Sequence, residues 1–315
     1  MRLVFLVFTH QGYQPYRLPA LCNKTEWSCN TQSNTRRTTH LPSIIDQMTE
    51  IYCFVDDFLK AHTGLAQRRR SPNAAPAFAD SEVITIGLMQ SFLAVASLKQ
   101  TYNLIAENFA SAFPKLCSYQ QWLARLHHLS PMIGRLFESA RLPGSCRLYL
   151  IDSKPIPVCK AIRHGRVRLL RDEGAYFGKS SAGWFFGFKL HCLRDINGCI
   201  LDAMLTAGNL DDRGPASELA EAIEGGIALA DLGYDGPQLA ELLAEESELL
   251  LITRRDVPEQ RALHSSVRQG IETLFSQLWH RFIDRVFSRS WRGLWNTIKL
   301  KLLSYNLRHC GVVSA

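Results

Sequence analysis

The sequence predicts an α/β protein in which an all-helical N-terminal region precedes a mixed sheet of five strands flanked by helices. Three observations carry this. Apolar residues recur at helical spacing over much of the stretch between about 44 and 130. After Pro143-Gly144 the pattern changes to short apolar runs of strand length. From position 211 onward, helix and strand patterns alternate, the order that joins parallel strands through crossover helices.

Residues 1–47 read unlike the rest, being rich in Thr, Asn, Gln and Ser. Such composition buries little and fits either a poorly ordered arm or a misassigned start upstream of Met48. Ile44, Ile45, Met48, Ile51, Tyr52, Val55, Phe58 and Leu59 form the first helical stripe. Gln67 to Pro76 is a basic, proline-containing loop. Asp80 is placed to cap a helix through Val83, Ile84, Gly87, Leu88 and Phe92. A further helix spans about 99–108, and Ser118 caps one carrying Trp122, Leu123, Leu126 and Leu129. The two helices around Phe113-Pro114 fit a helix-turn-helix reader of DNA, with Arg125 as a base contact, and fit a plain packing domain equally well. The helical unit is thus drawn over 48–143, with the sheet-bearing domain and its C-terminal helices over 144–315.

Strands are expected at 147–152, 184–194 and 198–205, the last two joined through Asp195-Ile196-Asn197-Gly198, an Asn-Gly hairpin signal. Asp211-Asp212 opens a helix to about Glu224, and 227–231 is a short buried strand. Pro237 begins a helix to about Glu246, followed by a strand at 249–253. A long helix then carries Val267, Ile271, Leu274, Phe275, Leu278 and Phe282, and 291–307 reads as a basic amphipathic helix.

Composition bounds the function. With 315 residues and 46% hydrophobic content, the chain fills one large domain or two modest ones. No apolar run approaches the roughly 20 residues that span a bilayer, and residues 3–8 are too short for a signal peptide. Nine cysteines without a Cys-x-x-Cys pair read as reduced cytoplasmic thiols. The net charge of +7 conceals a polarity: residues 211–259 hold 3 Lys/Arg against 13 Asp/Glu, while 260–315 hold 9 against 2. Basic flanks around an acidic segment suit a nucleic-acid binder, and they also suit ordinary solvated helix faces.

Three acids stand out. Leu148-Tyr149-Leu150-Ile151 ends on Asp152, Ile227-Ala228-Leu229-Ala230 ends on Asp231, and Glu272 lies on the apolar-periodic helix after Arg268. A carboxylate at the end of a buried strand is costly to ionise unless a cation compensates. Two strand-end aspartates with a helix glutamate make a cage for a hard cation such as Mg²⁺, which takes oxygen ligands and leaves positions open for phosphate.

Several blocks together resemble the DDE class of bacterial insertion-sequence transposases, which have a ribonuclease-H-like core. They are Ile151-Asp152-Ser153-Lys154-Pro155-Ile156-Pro157-Val158-Cys159, the run from Gly178 and Lys179 to Lys189-Leu190-His191, and Leu205-Thr206-Ala207-Gly208-Asn209-Leu210-Asp211-Asp212-Arg213. Ala230-Asp231-Leu232-Gly233-Tyr234 and Arg268-Gln269-Gly270-Ile271-Glu272-Thr273 complete the set, so that the resemblance covers about residues 48–310. It implies that Asp152, Asp231 and Glu272 form an acidic triad holding two Mg²⁺ ions, for which Mn²⁺ can substitute. It also implies double-stranded DNA, as element ends and target, for the partner, with a homodimer acting in the nucleoid. Related enzymes carry an Arg one helical turn before the Glu and a Lys seven residues after it. Arg268 fits, but Trp279 stands in the second position.

Basic residues supply the expected DNA contacts. Arg163, His164, Arg166, Arg168 and Arg171 form a loop suited to phosphates, and Lys179 belongs to the second block. Lys189 and His191 alternate on one strand and therefore face the same side, either a DNA groove or a satisfied sheet. Asp211 and Asp212 read as a turn and helix cap, and Trp184, Trp291 and Trp295 as core aromatics. Two rival functions stay open: a metal-dependent nuclease of this fold without strand transfer, and a catalytically inactive DNA-binding remnant.

Overall fold

The computed structural model describes residues 5–7, 14–16, 43–62, 76–141, 147–180, 183–253, 276, 278 and 288–314. Near the start, β1 (Phe5–Val7) pairs antiparallel with β2 (Gln14–Tyr16), separate from the main sheet. Helix α1 (Ile44–Ala61) begins four residues before Met48. Ser43 caps it, accepting from the Asp46 N–H while Asp46 accepts from the Ser43 N–H, a reciprocal capping box. A boundary at Met48 would cut this helix in its first turn, because the polar residues before it are its cap.

Helices α2 (Asp80–Phe92), α3 (Leu98–Asn108), α4 (Tyr119–His128) and α5 (Ser130–Ser139) follow. Ser97 and Ser118 cap α3 and α4. Asp80 is the first helical residue of α2 instead of its cap, and Glu82 accepts from the Ala79 N–H in that role. Helices α3 and α4 are ten residues apart, bridged in part by a 3₁₀ turn at Ala110–Ala112, far longer than the three- or four-residue turn of a helix-turn-helix reader.

The main sheet contains β3 (Leu148–Cys159), β4 (Tyr176–Ser180), β5 (Gly183–Asp195), β6 (Ile200–Ala207), β7 (Gly226–Ala230) and β8 (Leu249–Ile252). Its order is β4-β5-β3-β7-β8, with β6 also on β5. On the outer edge of β5, β4 takes residues 183–187 and β6 takes 188–194, so six strands fill five positions. The antiparallel set β3, β5 and β6 continues into parallel β7 and β8, reached through α6 (Arg213–Ala220) and α7 (Pro237–Ser247). This is the ribonuclease-H-like arrangement that the sequence predicts. The short strand β4 escapes sequence reading because Gly178 interrupts a five-residue edge segment. That glycine is required: a Cβ there would lie 2.1 Å from the Gly208 carbonyl oxygen.

Strand β3 runs seven residues beyond the expected end at Asp152. The added stretch contains Pro155 and Pro157, and proline cannot donate to a ladder. Past Ile151, however, β3 pairs only with β5 and no longer with β7, so one edge needs no donors.

One hydrophobic core joins the helical region to the sheet. It includes Ile51, Val83, Ile86, Trp122, Ile133, Leu148, Leu150, Phe188 and Leu190. The last helix, α8 (Trp291–His309), runs through it, burying Leu294, Ile298, Leu302 and Leu303. This helix is buried nearly all round, with Asn296, Lys301, Ser304 and Asn306 inside, so the amphipathic reading of 291–307 is corrected. Asn306 exchanges hydrogen bonds with both backbone groups of Ile200, at 3.0 and 2.8 Å, and Asn296 donates to the Leu126 carbonyl at 3.2 Å. The helical region therefore shares one hydrophobic core with the sheet. Among the described residues, no helix is long and apolar enough to cross a membrane.

Candidate active site

Strands β3 and β7 pair in parallel from Leu148↔Ile227 to Ile151↔Ala230. Asp152 and Asp231 are the next residue on each strand, 79 positions apart in sequence but neighbours across the sheet. Strands run about 4.8 Å apart, so both carboxylates arise within reach of one metal pair. They also share a face. Leu148, Leu150, Ile227 and Leu229 enter the core on the α8 side, whereas Tyr149, Ile151, Ala228 and Ala230 enter a second core against α6 and α7. Alternation then places Asp152 and Asp231 on the α8 side, and Asp231 retains extended backbone angles of −79° and 171°. Opposite Asp152 in register is Cys192, whose thiol is pushed far up by burial and next by the Asp152 charge.

The two strands separate immediately after these acids. β3 follows β5, while Asp231 opens a 3₁₀ turn over Leu232–Tyr234. A backbone N–H orients each carboxylate: Ser153 donates to Asp152 at 2.7 Å and Leu232 to Asp231 at 2.8 Å. Glu272, Arg268 and Trp279 lie outside the described residues, as does most of the predicted helix, of which Leu278 is helical and buried. No group of three metal-binding side chains occurs among the described residues. The two aspartates supply the hard oxygen donors that Mg²⁺ prefers.

Lys189 and His191 do lie on one side of β5, but it is the α6–α7 side, opposite Asp152. His191 has no exposed surface, which corrects its assignment as a DNA contact. Its ring bonds Tyr234 Oη at 3.3 Å and Thr206 Oγ1 at 2.8 Å. Lys189 Nζ donates to Asp212 Oδ1 at 2.7 Å and to the Leu210 carbonyl at 2.8 Å. Asp212 reads in sequence as a helix cap in preference to a ligand, yet its side chain makes no cap bond and accepts from Ser153 Oγ at 3.0 Å. Asp211 takes the local turn: Arg213 holds it through side chain and backbone, lowering its carboxyl to about 2.

Burial holds His191 down at about 4, against an upward pull from the Asp212 charge. An unfolded histidine titrates near 6.5. Between those values the unfolded chain binds a proton that the native chain refuses. The neutral ring's contribution is thus complete above about pH 6.5 and is lost as pH falls toward 4. Urea unfolding is expected to show roughly 1–3 kcal/mol less stability at pH 4.5 than at pH 7 from this residue. His191→Gln should remove that part of the slope.

Arg125 is also committed inside the protein. Its guanidinium donates to the Phe78 carbonyl at 2.7 Å and to Asp80 at 2.5 Å, and lies 5.6 Å from the Phe78 ring centroid. The exposed residues of α4 are Gln120, Gln121, Ala124 and His128, so Arg125 is not among them. The reading of Arg125 as a base contact is corrected accordingly. Arg125→Ala is expected to cost about 1–3 kcal/mol of stability by removing the donor to the partly buried Phe78 carbonyl and one partner of Asp80. Binding to element ends and to random duplex should weaken equally, if at all, in a filter-binding comparison.

The basic surface lies at the β4 edge. Arg163, His164, Arg166 and Arg168 are exposed after β3. His164 packs on Phe177 at 4.7 Å, and Arg171 lies 5.4 Å from the Phe186 ring. Lys179 Nζ sits 5.7 Å from the ring of Trp184, itself stacked on Phe177 and 59% exposed. Trp184 is therefore a surface aromatic, unlike the core residue its type suggested.

The fold is ribonuclease-H-like, with the two aspartates at adjacent strand ends. Residues 144–282 match the family described as the transposase DDE domain, and the chain carries a DDE-type transposase domain. The match includes Asp152, Asp231 and Glu272. No curated protein matches the chain.

Proposed function

We propose that the protein is a transposase that cleaves DNA at the ends of an insertion sequence and joins the 3′ ends to target DNA, acting as a homodimer. The observation that carries this reading is the Ile151↔Ala230 register, which sets Asp152 and Asp231 side by side within the matched domain. Asp152, Asp231 and Glu272 would hold two Mg²⁺ ions. When bound, such a pair activates the attacking oxygen and stabilises charge on the leaving one. The chain's own part is to orient the carboxylates through the Ser153 and Leu232 N–H groups and to grip phosphates along the β4 edge. Arg163, His164 and Lys179 provide the exposed grip, and Arg268, four positions before Glu272 in sequence, is assigned the same role.

The test sequences the DNA flanking the gene for matched inverted repeats and then combines the full chain and Mg²⁺ with duplexes bearing them. Joined end–target products are the expected result. Nicked products alone would indicate a nuclease of the same fold, and intact DNA would indicate an inactive DNA-binding remnant.

A further inference from the structure

One face of the β4–β5 pair carries a row of rings and cations. Lys179 stands opposite Trp184 and Phe177 opposite Phe186 in the antiparallel register, so all four side chains share that face. Trp184 stacks on Phe177, with ring centroids 5.3 Å and planes 23° apart. His164 lies 4.7 Å from Phe177 and 6.2 Å from Phe186, and the Arg171 guanidinium lies 5.4 Å from the Phe186 centroid. At the other end, the Lys179 ammonium is 5.7 Å from the Trp184 centroid. The row thus begins and ends on a cation.

Its character changes along its length. Phe186 is buried in the core and Phe177 packs half-buried against it, whereas Trp184 and Lys179 are exposed. A lone exposed apolar side chain is ordinary. Trp184 differs because its ring is seated on another ring that the core holds, beside a cation in open solvent. A flat, apolar group that itself carries negative charge complements such a surface. A nucleotide combines the two, with a base for the indole and a phosphate for Lys179. Paired bases hide their faces inside the duplex stack, so only an unpaired nucleotide can offer one.

The placement agrees with a DNA contact. Side chains alternate along β5, so Trp184 points to the same side as Cys192, the register partner of Asp152. Eight residues separate the two positions, at most roughly 27 Å at about 3.4 Å per residue. That length is about eight nucleotide steps of B-form DNA. One short segment of DNA therefore spans both the acids and the row.

We propose that Trp184 is a stacking platform for an unpaired DNA base, with Lys179 on the adjoining phosphate. The proposal rests on DNA being the partner. It adds to the phosphate grip a response to exposed bases, which contacts to the backbone alone do not give.

The experiment uses fluorescence anisotropy to compare the affinity of the full chain for oligo-dT, for an abasic strand of equal length and for a duplex, at one salt concentration. The abasic strand keeps the sugar–phosphate backbone and lacks base faces. Wild type is expected to bind oligo-dT about tenfold or more tightly than the abasic strand. Trp184→Leu keeps an apolar side chain over Phe177 but no ring, and should erase that difference; Trp184→Tyr should retain most of it. Lys179→Ala should weaken both strands alike. If Trp184→Leu fails to fold, ultraviolet crosslinking of a bromodeoxyuridine strand to the unmutated chain decides, with an adduct expected on Trp184. Equal wild-type affinity for oligo-dT and the abasic strand would overturn the proposal. So would a folded Trp184→Leu variant that keeps the difference, or adducts confined to other residues. Duplex binding that persists in those cases leaves DNA as the partner, whereas wild type binding none of the three would defeat that reading as well.

Discussion

Asp152→Asn is expected to reduce Mg²⁺-dependent DNA cleavage by about a thousandfold or more while leaving DNA binding within about twofold of wild type. Metal ions at a phosphoryl centre supply several kcal/mol of charge stabilisation, and each 1.36 kcal/mol is about a tenfold change in rate. Asparagine keeps the size of the side chain and an oxygen for the Ser153 N–H, so the strand end should remain formed. What it removes is negative charge beside Asp231. The basic surface at Arg163, Arg166 and Lys179 lies on the β4 edge and is untouched. Single-turnover cleavage, filter binding and thermal melting together read the outcome. A variant that melts far lower and loses DNA binding with cleavage would identify Asp152 as a structural residue.

How far the sequence reveals this site depends on which residues signal through their neighbours. Asp152 and Asp231 were legible because each ends an apolar run, and burial on both faces of a central strand forces such runs. The structure adds their register, which no single sequence carries. Asp212 was not legible: an Asp before a helix usually caps it, and only the fold shows Lys189 and Ser153 reaching it across the sheet. Arg125 misled for the opposite reason. A basic residue near the end of a short polar helix resembles a DNA contact, and its carbonyl partner at Phe78 lies 47 positions away. α8 misled through its polar residues, Asn296, Ser304 and Asn306, which look solvent-directed but satisfy backbone groups or join buried segments. The second half of β3 was not legible, since tolerance of its proline pair depends on β7 having already turned away.

Asp212→Ala is expected to destabilise the protein by about 2–4 kcal/mol. Removing one member of a buried ion pair typically costs about 3–5 kcal/mol because the remaining charge is left without its partner. The side chains here retain 15% and 19% exposure, which lowers that figure somewhat. Lys189 would keep only the Leu210 carbonyl, and Ser153 would lose its acceptor. Replacing both charges, as Lys189→Met with Asp212→Ala, should cost distinctly less than the sum of the two single changes, since no charge is then stranded. Equilibrium unfolding of the four proteins measures this coupling. The same set decides whether Lys189 also grips DNA. Each phosphate contact contributes about −0.9 to the slope of log affinity against log salt. Arg163→Ala and Lys179→Ala should each flatten the slope by nearly that amount, because both side chains are exposed. Lys189→Met should leave it unchanged, its charge being already neutralised by Asp212. A slope flattened as much by Lys189→Met as by Arg163→Ala would mean that the ion pair opens on binding and that Lys189 exchanges a carboxylate for a phosphate.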